Sequence, residues 1–291
     1  MQPVIHAQGL YKNYGKKIAL DNINLSVPQG RIVGLIGPNG AGKTTLLKGI
    51  LGLMPLKGQL QVLGKNPARE RIALLEEVSF IADTTTLPGW LTVAQAITYV
   101  EGVHPKFSRE KACEFLGKTN IQTNNKIKTL SKGMVTQLHL ALIMAIDSKL
   151  LVLDEPTLGL DIMYRKQFYE SLLTNYHAPH KTILITTHQV EEIEDILTDL
   201  LFIDQGRILL ETSMEDLPKR FVEVQVAADQ KDQALALQPL HLRSVAGGYA
   251  AIYENSASSQ LSLLGNPGTP SVADLFVAIV SNGKNNQQQV A

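Results

Sequence analysis

The sequence predicts an α/β protein built on a parallel sheet covered on both faces, with a small α+β appendage at its C-terminal end. Three observations carry that expectation. An apolar run, Ile32 to Ile36, leads through the glycine-rich turn Gly37-Pro38-Asn39-Gly40-Ala41-Gly42-Lys43-Thr44-Thr45 into a helix-forming stretch. Two more apolar runs, Leu150 to Leu153 and Thr182 to Thr187, have the length and continuity of strands buried on both sides. They end on Asp154-Glu155 and on His188, and in open parallel sheets ligands bind outside the carboxyl ends of the strands.

At 291 residues the chain has room for one large domain plus a smaller one. Its 27 basic and 27 acidic residues cancel, so no overall field draws it to nucleic acid, and none is expected as a partner. Cys113 is the sole cysteine, which excludes an intrachain disulfide and a cysteine-rich metal site; it is expected as a small buried hydrophobe in a helix. No window approaches the roughly 18 apolar residues of a membrane span, and Met1 to Asn13 has no apolar signal core. The expectation is a cytoplasmic, soluble chain whose membrane role, if any, comes through a partner.

Taken in order, residues 3–10 and 18–27 read as strands, the second closing at Val27-Pro28-Gln29-Gly30. Tyr14 falls in the loop between them, either as a packed surface ring or as a platform for a purine. Glycines at 37, 40 and 42 let the backbone bend round an anion, with N–H groups and the helix dipole facing phosphate oxygens. In that P-loop reading Lys43 bridges the β- and γ-phosphates and the Thr44 hydroxyl ligands Mg²⁺. The helix that follows is expected from Thr45 to Leu53, stopping near Met54-Pro55.

Gln59 to Leu63 and Val78 to Ala82 read as strands, the latter ending at Asp83. A loop from Thr84 to Trp90 precedes the capping box Thr92-Val-Ala-Gln95, and Ser108 opens another helix to about Thr119. Leu130-Ser131-Lys132-Gly133-Met134 leads into Val135 to Ile146, a helix apolar on nearly every face and so expected in the core.

Two readings compete at each strand end. Asp154-Glu155 is either a solvated charge pair at a helix N-terminus, or a Mg²⁺-holding Walker B aspartate followed by a residue that orients the attacking water. His188 is either a satisfied structural histidine or a donor to charge developing on a γ-phosphate. The pattern changes at about Leu217: Phe221 to Ala227 alternates like a strand, Tyr249 to Tyr253 reads as another, and Ser271-Val-Ala-Asp274 caps a helix through Val280. This unit is expected to fold separately, and the amide-rich residues 284–291 to form a disordered tail.

Over residues 1 to about 215 the chain resembles the ATPase subunit of ATP-binding cassette (ABC) transporters. The resemblance rests on Tyr14, Gly37 to Thr45, Leu130 to Met134, Leu150 to Glu155, Leu158-Gly159-Leu160-Asp161 and His188, in that order. It implies a P-loop NTPase core over residues 1–215 with a helical subdomain at about 84–135, and a C-terminal accessory domain over 216–283. ATP and Mg²⁺ would be the ligands, with Tyr14 stacked on adenine. Ser131 and Gly133 would meet the γ-phosphate bound to the opposite subunit, and Asp161 would lie across the dimer interface.

Two cassettes, identical or different, would pair head to tail, closing on ATP and opening after hydrolysis. They would drive separate transmembrane permease subunits from the cytoplasmic face of the inner membrane. The family also has soluble members, so an ATP-dependent switch that moves nothing across a membrane is the alternative. Against it, the chain has neither a long coiled-coil insertion nor a second cassette. Two features depart from the family pattern. Lys132 and Met134 stand where the signature Leu-Ser-Gly-Gly-Gln has glycine and glutamine, and Asp83 stands where a glutamine usually senses Mg²⁺ and the membrane partner. Both variants are similar to those of a bacterial exporter-like subgroup, including members associated with acetoin use or antibiotic stress.

Overall fold

The computed structural model describes residues 2–82, 87–158, 160–176, 178–255 and 258–288. Strands β1 (Ile5–Tyr14) and β2 (Lys17–Val27) form an antiparallel hairpin whose alternation buries Ile5, Ala7 and Leu10 on one strand and Ile23, Leu25 and Val27 on the other. Tyr14 pairs with Lys17 across the Gly15-Lys16 turn, so it ends a strand and does not float in a loop as the pattern suggested. Then follow β3 (Ile32–Ile36), α1 (Lys43–Ile50), β4 (Lys57–Val62), α2 (Arg71–Leu75) and β5 (Val78–Ile81). The order β2-β1-β4 makes a separate antiparallel sheet.

Helices α3 (Val93–Val103), α4 (Arg109–Gly117) and α5 (Lys132–Met144) form the helical subdomain. The Thr92–Gln95 capping box is present, with both reciprocal bonds, and Ser108 caps α4 through Lys111 N–H. Val93, Ile97, Leu116, Ile127, Leu138 and Leu142 share one cluster, so this core continues along α5 beyond the expected limit at 135. Cys113 is exposed, contrary to the expectation: Ala112 and Leu116, four residues apart on α4, take the inward face and turn Cys113 outward.

After α5 come β6 (Leu150–Asp154), α6 (Ile162–Ser171), β7 (Thr182–Thr187), β8 (Asp199–Asp204) and β9 (Arg207–Ser213). The central sheet has six strands in the order β5-β6-β7-β3-β8-β9, with every adjacent pair parallel except β8 with β9. Alternate residues of each strand enter different cores. Val33, Leu35, Val152, Leu184 and Leu201 face α1 and the antiparallel sheet, while Ile36, Leu153, Ile185 and Phe202 join Leu140 of α5 and Phe168 of α6. Burial on both faces is why these strands read as unbroken apolar runs.

The C-terminal unit contains α7 (Leu217–Arg220), β10 (Phe221–Ala227), α8 (Lys231–Ala236), β11 (His241–Val245), β12 (Gly248–Glu254), α9 (Ser258–Leu261), β13 (Pro267–Gly268) and α10 (Val272–Gln288). Its sheet, β11-β12-β10-β13, closes a small core of Val224, Val226, Ala234, Tyr253 and Leu261. The unit is not independent, however. Leu217, Phe221, Ile252, Val272, Leu275 and Ala278 belong to the same buried cluster as Leu197 and Phe202, and Phe276 meets Phe202 edge to face at 5.2 Å. A boundary at 215/216 therefore cuts through a continuous core. Helix α10 also runs on to Gln288, past Val280 and into the segment expected as a disordered tail.

Candidate functional site

The glycine loop joins β3 to α1 behind a crowded crossing of backbone. A Cβ at Gly37 would lie 2.2 Å from the Ile203 carbonyl oxygen, and one at Gly42 would lie 2.5 Å from that of Ala19. Gly42 caps α1 with φ at 112°, a left-handed conformation that a side chain would strain. Pro38, Asn39 and Gly40 are left exposed at the rim while Ala41 is buried, and the N-terminus of α1, with Lys43, Thr44 and Thr45 in its first turn, opens onto a cleft of about 240 Å³. Oriented N–H groups and the helix dipole there suit an anion.

Lys43 is 7% exposed; its Nζ donates to the Gly37 carbonyl at 2.6 Å and lies 3.7 Å from Glu155 Oε1. The Thr44 hydroxyl donates to Asp154 Oδ2 at 3.1 Å, and the Thr186 hydroxyl to Asp154 Oδ1 at 2.5 Å. Asp154 is thus a buried carboxylate whose two oxygens each accept a hydroxyl, the arrangement burial demands of a charged group. Glu155 sits at φ 50°, and its N–H donates to the Thr186 carbonyl at 3.1 Å. That left-handed turn, unfavourable for a side chain by about 1–3 kcal/mol, swings the carboxylate away from the strand direction. His188 Nδ1 then lies 2.8 Å from Glu155 Oε2. Tyr14 lines the same cleft with Lys17; its hydroxyl meets Met54 Sδ at 3.2 Å, and Lys12 Nζ lies 5.6 Å from its ring centroid.

Lys43, Thr44, Asp154, Glu155 and Tyr14 therefore share one cleft, with His188 bonded at its edge. Ser131, Gly133 and Asp161 do not line it. Ser131 caps α5 by accepting from Met134 N–H at 3.2 Å, and Asp161 caps α6 by accepting from Tyr164 N–H at 3.1 Å. The Met134 side chain packs on the helical-subdomain core, so apolar contact replaces the second bond of a capping box. Asp83, expected as a metal ligand, lies outside the described residues, as does Gly159. Sequence reasoning missed Thr186, which a hydroxyl at the end of a buried strand could have flagged, and Lys17, whose place follows from hairpin pairing with Tyr14.

The Thr44 hydroxyl beside the Asp154 carboxylate gives adjacent hard oxygen donors, a set that fits Mg²⁺ completed by phosphate oxygens and water. Among the described residues no cluster of three His, Cys, Asp or Glu side chains offers an all-protein cage.

A glycine loop between a parallel strand and a helix, with an acidic pair at the end of a strand two places away, defines a P-loop NTPase. Residues 20–158 match the model of the ABC transporter family. The chain is 30% identical over 237 residues to the uncharacterized ABC transporter ATP-binding protein YdbJ of Bacillus subtilis (strain 168), covering 80% of this chain and 77% of that one. It is 30% identical to the bacitracin transport ATP-binding protein BcrA of Bacillus licheniformis, over 82% of this chain and 80% of the relative. It is 35% identical to the Nod factor export ATP-binding protein I of Burkholderia orbicola, over 77% and 74%. A solved ATP-binding subunit of an ABC transporter matches the fold with a TM-score of 0.68 at 23% identity, covering 74% of this chain and 92% of that one.

The chain belongs to the ABC transporter ATP-binding proteins. It is a nucleotide-binding subunit that hydrolyses ATP coupled to transport and works with transmembrane permease components. Among the described residues no helix is long and apolar enough to cross a membrane.

Proposed function

We propose that this chain powers an exporter as one half of a head-to-tail pair of cassettes, with either a second copy or a different ATPase subunit as the other half. The pair closes on two ATP molecules and reopens after hydrolysis, driving separate transmembrane subunits from the cytoplasmic face of the cell membrane. The observation that carries this reading is the convergence of Lys43, Thr44, Asp154, Glu155 and His188 at the carboxyl ends of β3, β6 and β7.

On binding ATP, Lys43 exchanges its bond to the Gly37 carbonyl for β- and γ-phosphate oxygens. Thr44 and Asp154 would hold a Mg²⁺ ion, which would supply charge neutralisation at the phosphates. Glu155 orients the attacking water and accepts its proton, and His188 Nδ1–H steadies the Glu155 carboxylate. Tyr14 provides a ring on which adenine stacks.

Ser131, Gly133 and Asp161, outside their own chain's cleft, serve the opposing subunit's nucleotide. Leu158, Ile162 and Met163 around Asp161 leave large apolar surface open to solvent, Ile162 being 81% exposed, which suits a face covered on pairing. Trp90 is 73% exposed, and Tyr99 and Val103 are exposed one turn apart on α3; together they offer a docking face for the membrane subunit. Export is favoured because relatives carry the names bacitracin transport, Nod factor export and daunorubicin resistance. The test is to purify the tagged chain from solubilised membranes and identify what accompanies it. Recovery of polytopic membrane chains is expected; recovery of soluble partners alone would favour the ATP-dependent switch.

A further inference from the structure

The hydrogen bond between Glu155 and His188 spans two segments that leave the sheet from the neighbouring strands β6 and β7. The first turns tightly, with Leu158 N–H donating to the Glu155 carbonyl at 3.2 Å and Leu160 N–H to that of Thr157 at 3.0 Å. The second is braced by Gln189 N–H on the Thr187 hydroxyl at 2.9 Å and continues as a single 3-10 turn, Val190–Glu192. A hydrogen bond across two such turns keeps its geometry only if something behind it holds the turns together.

Arg165 of α6 does this with one guanidinium. Its Nε donates to the Leu160 carbonyl at 2.7 Å, and its Nη1 donates to Gln189 Oε1 at 2.7 Å and to Glu192 Oε1. The other Glu192 oxygen accepts the Thr157 hydroxyl at 3.4 Å, and that hydroxyl also meets the buried Tyr169 hydroxyl at 3.2 Å. Arg165 and Glu192 are both mostly covered, so the pair is poorly screened, and a planar guanidinium fixes its acceptors' directions as well as their distances. The Leu160 carbonyl immediately precedes Asp161, so the same side chain also sets the entry into α6.

We infer that Arg165 is a positioning residue for ATP hydrolysis, clamping the segment that carries Glu155 and Asp161 to the segment that carries His188. The inference rests on the roles given above to Glu155 and His188. It differs from a general structural role in what it predicts: loss of the clamp loosens the catalytic pair but leaves the glycine loop, Lys43 and Tyr14, which hold the nucleotide, in place.

The experiment uses the full-length chain and measures steady-state ATP hydrolysis, affinity for a fluorescent ATP analogue, and thermal unfolding. The variants are Arg165→Met, Arg165→Lys, Gln189→Ala and Glu155→Gln, with Lys166→Met as a charge-removal control on the exposed face of α6. Since a misplacement of about 1 Å can lower a rate about a hundredfold, Arg165→Met should lower kcat by roughly ten- to a hundredfold with analogue affinity held within about twofold. Arg165→Lys should recover part of that loss, because an ammonium can reach one acceptor but not span three. Gln189→Ala, which removes one neutral acceptor and strands no buried charge, should lower kcat by about threefold, the scale of a single modest hydrogen bond, and keeps the test decisive if Arg165→Met unfolds.

Parent-level kcat in folded Arg165→Met, or in Gln189→Ala should Arg165→Met unfold, would overturn the inference. So would a loss of analogue affinity in step with kcat. If Glu155→Gln itself hydrolyses ATP at the parent rate, the underlying reading of the site has failed; if Glu155→Gln is inactive and the clamp variants are not, the clamp alone is refuted.

Discussion

Replacing Phe276 by alanine should loosen the C-terminal unit from the cassette and lower the stability of the whole chain. Phe276 lies on α10, partly buried against the cluster that includes Leu197 and Phe202, and its ring stands at 88° to that of Phe202 with centroids 5.2 Å apart. A fully buried Phe→Ala loses about 3–5 kcal/mol, and an edge-to-face pair accounts for about 0.5–1.5 kcal/mol of such a loss. Because Phe276 is only partly covered, about 2 kcal/mol is the expected loss. For 291 residues, each contributing about 2.1 cal/mol/K to the unfolding entropy, that corresponds to a fall in Tm of roughly 3 °C. Val277→Ala, at an exposed neighbour on the same helix, should change stability by no more than about 0.5 kcal/mol. Thermal unfolding should remain a single transition, since residues of both units share one core. Two transitions in the parent, or a Phe276→Ala Tm equal to that of Val277→Ala, would refute the shared core and restore an accessory domain that folds apart.

Glu194 accepts Val272 N–H at 3.2 Å, and burial, reinforced by Asp195, Glu191 and Asp274, raises its pKa above the ordinary glutamate value. Its ionisation therefore works against folding: stability is complete below the unfolded-state pKa and falls as pH rises through the raised folded-state value, so Glu194→Gln should raise Tm near neutral pH and leave it unchanged in acid. Trp90→Ala should weaken assembly with the membrane subunits by about 2 kcal/mol or more, as removal of a central interface aromatic does, while ATP binding by the isolated chain is unaffected; pull-down and nucleotide titration separate the two effects. Tyr14→Ala should raise the KM for ATP about tenfold with little change in kcat, because stacking on a base contributes roughly 1–3 kcal/mol; an unchanged KM would return Tyr14 to the status of a packed surface ring.

The parts of the site on the central sheet were legible because the sheet is buried on both faces. Leu150 to Leu153 and Ile183 to Ile185 had to be apolar without interruption, and the polar residues that follow them stand out against that background. The glycine loop was legible for a steric reason: Gly37 and Gly42 lie where other backbone carbonyls leave no space for a Cβ. Helix starts at Thr92, Ser108, Ser131 and Ser271 announced themselves through hydroxyls that accept the backbone N–H three residues on.

Other features depend on contacts between residues distant in the chain. The Arg165 clamp joins positions 157, 160, 165, 189 and 192, and no periodicity marks polar partners drawn from three segments. Strands β8 and β9 went unread although Gln205 and Gly206, both at positive φ, form a tight hairpin turn between them. The C-terminal boundary misled for a related reason. The change of pattern near Leu217 marks where the chain leaves one sheet for another, but the apolar faces of Phe221, Ile252 and α10 return to the first core. Cys113 shows the limit of residue-type averages, since the stripe of Ala112 and Leu116 outweighs the burial preference of cysteine.

The central claim is that Glu155, turned out of β6 and bonded to His188, acts on the attacking water, whereas Lys43 acts on the bound phosphates. The most direct measurement is single-turnover ATP hydrolysis alongside ATP-dependent dimerisation for Glu155→Gln and Lys43→Ala. Glu155→Gln should bind ATP with parent affinity, accumulate as an ATP-held dimer and show no measurable hydrolysis, while Lys43→Ala should fail to bind. Hydrolysis by Glu155→Gln at the parent rate, or loss of ATP binding in both variants alike, would contradict the account.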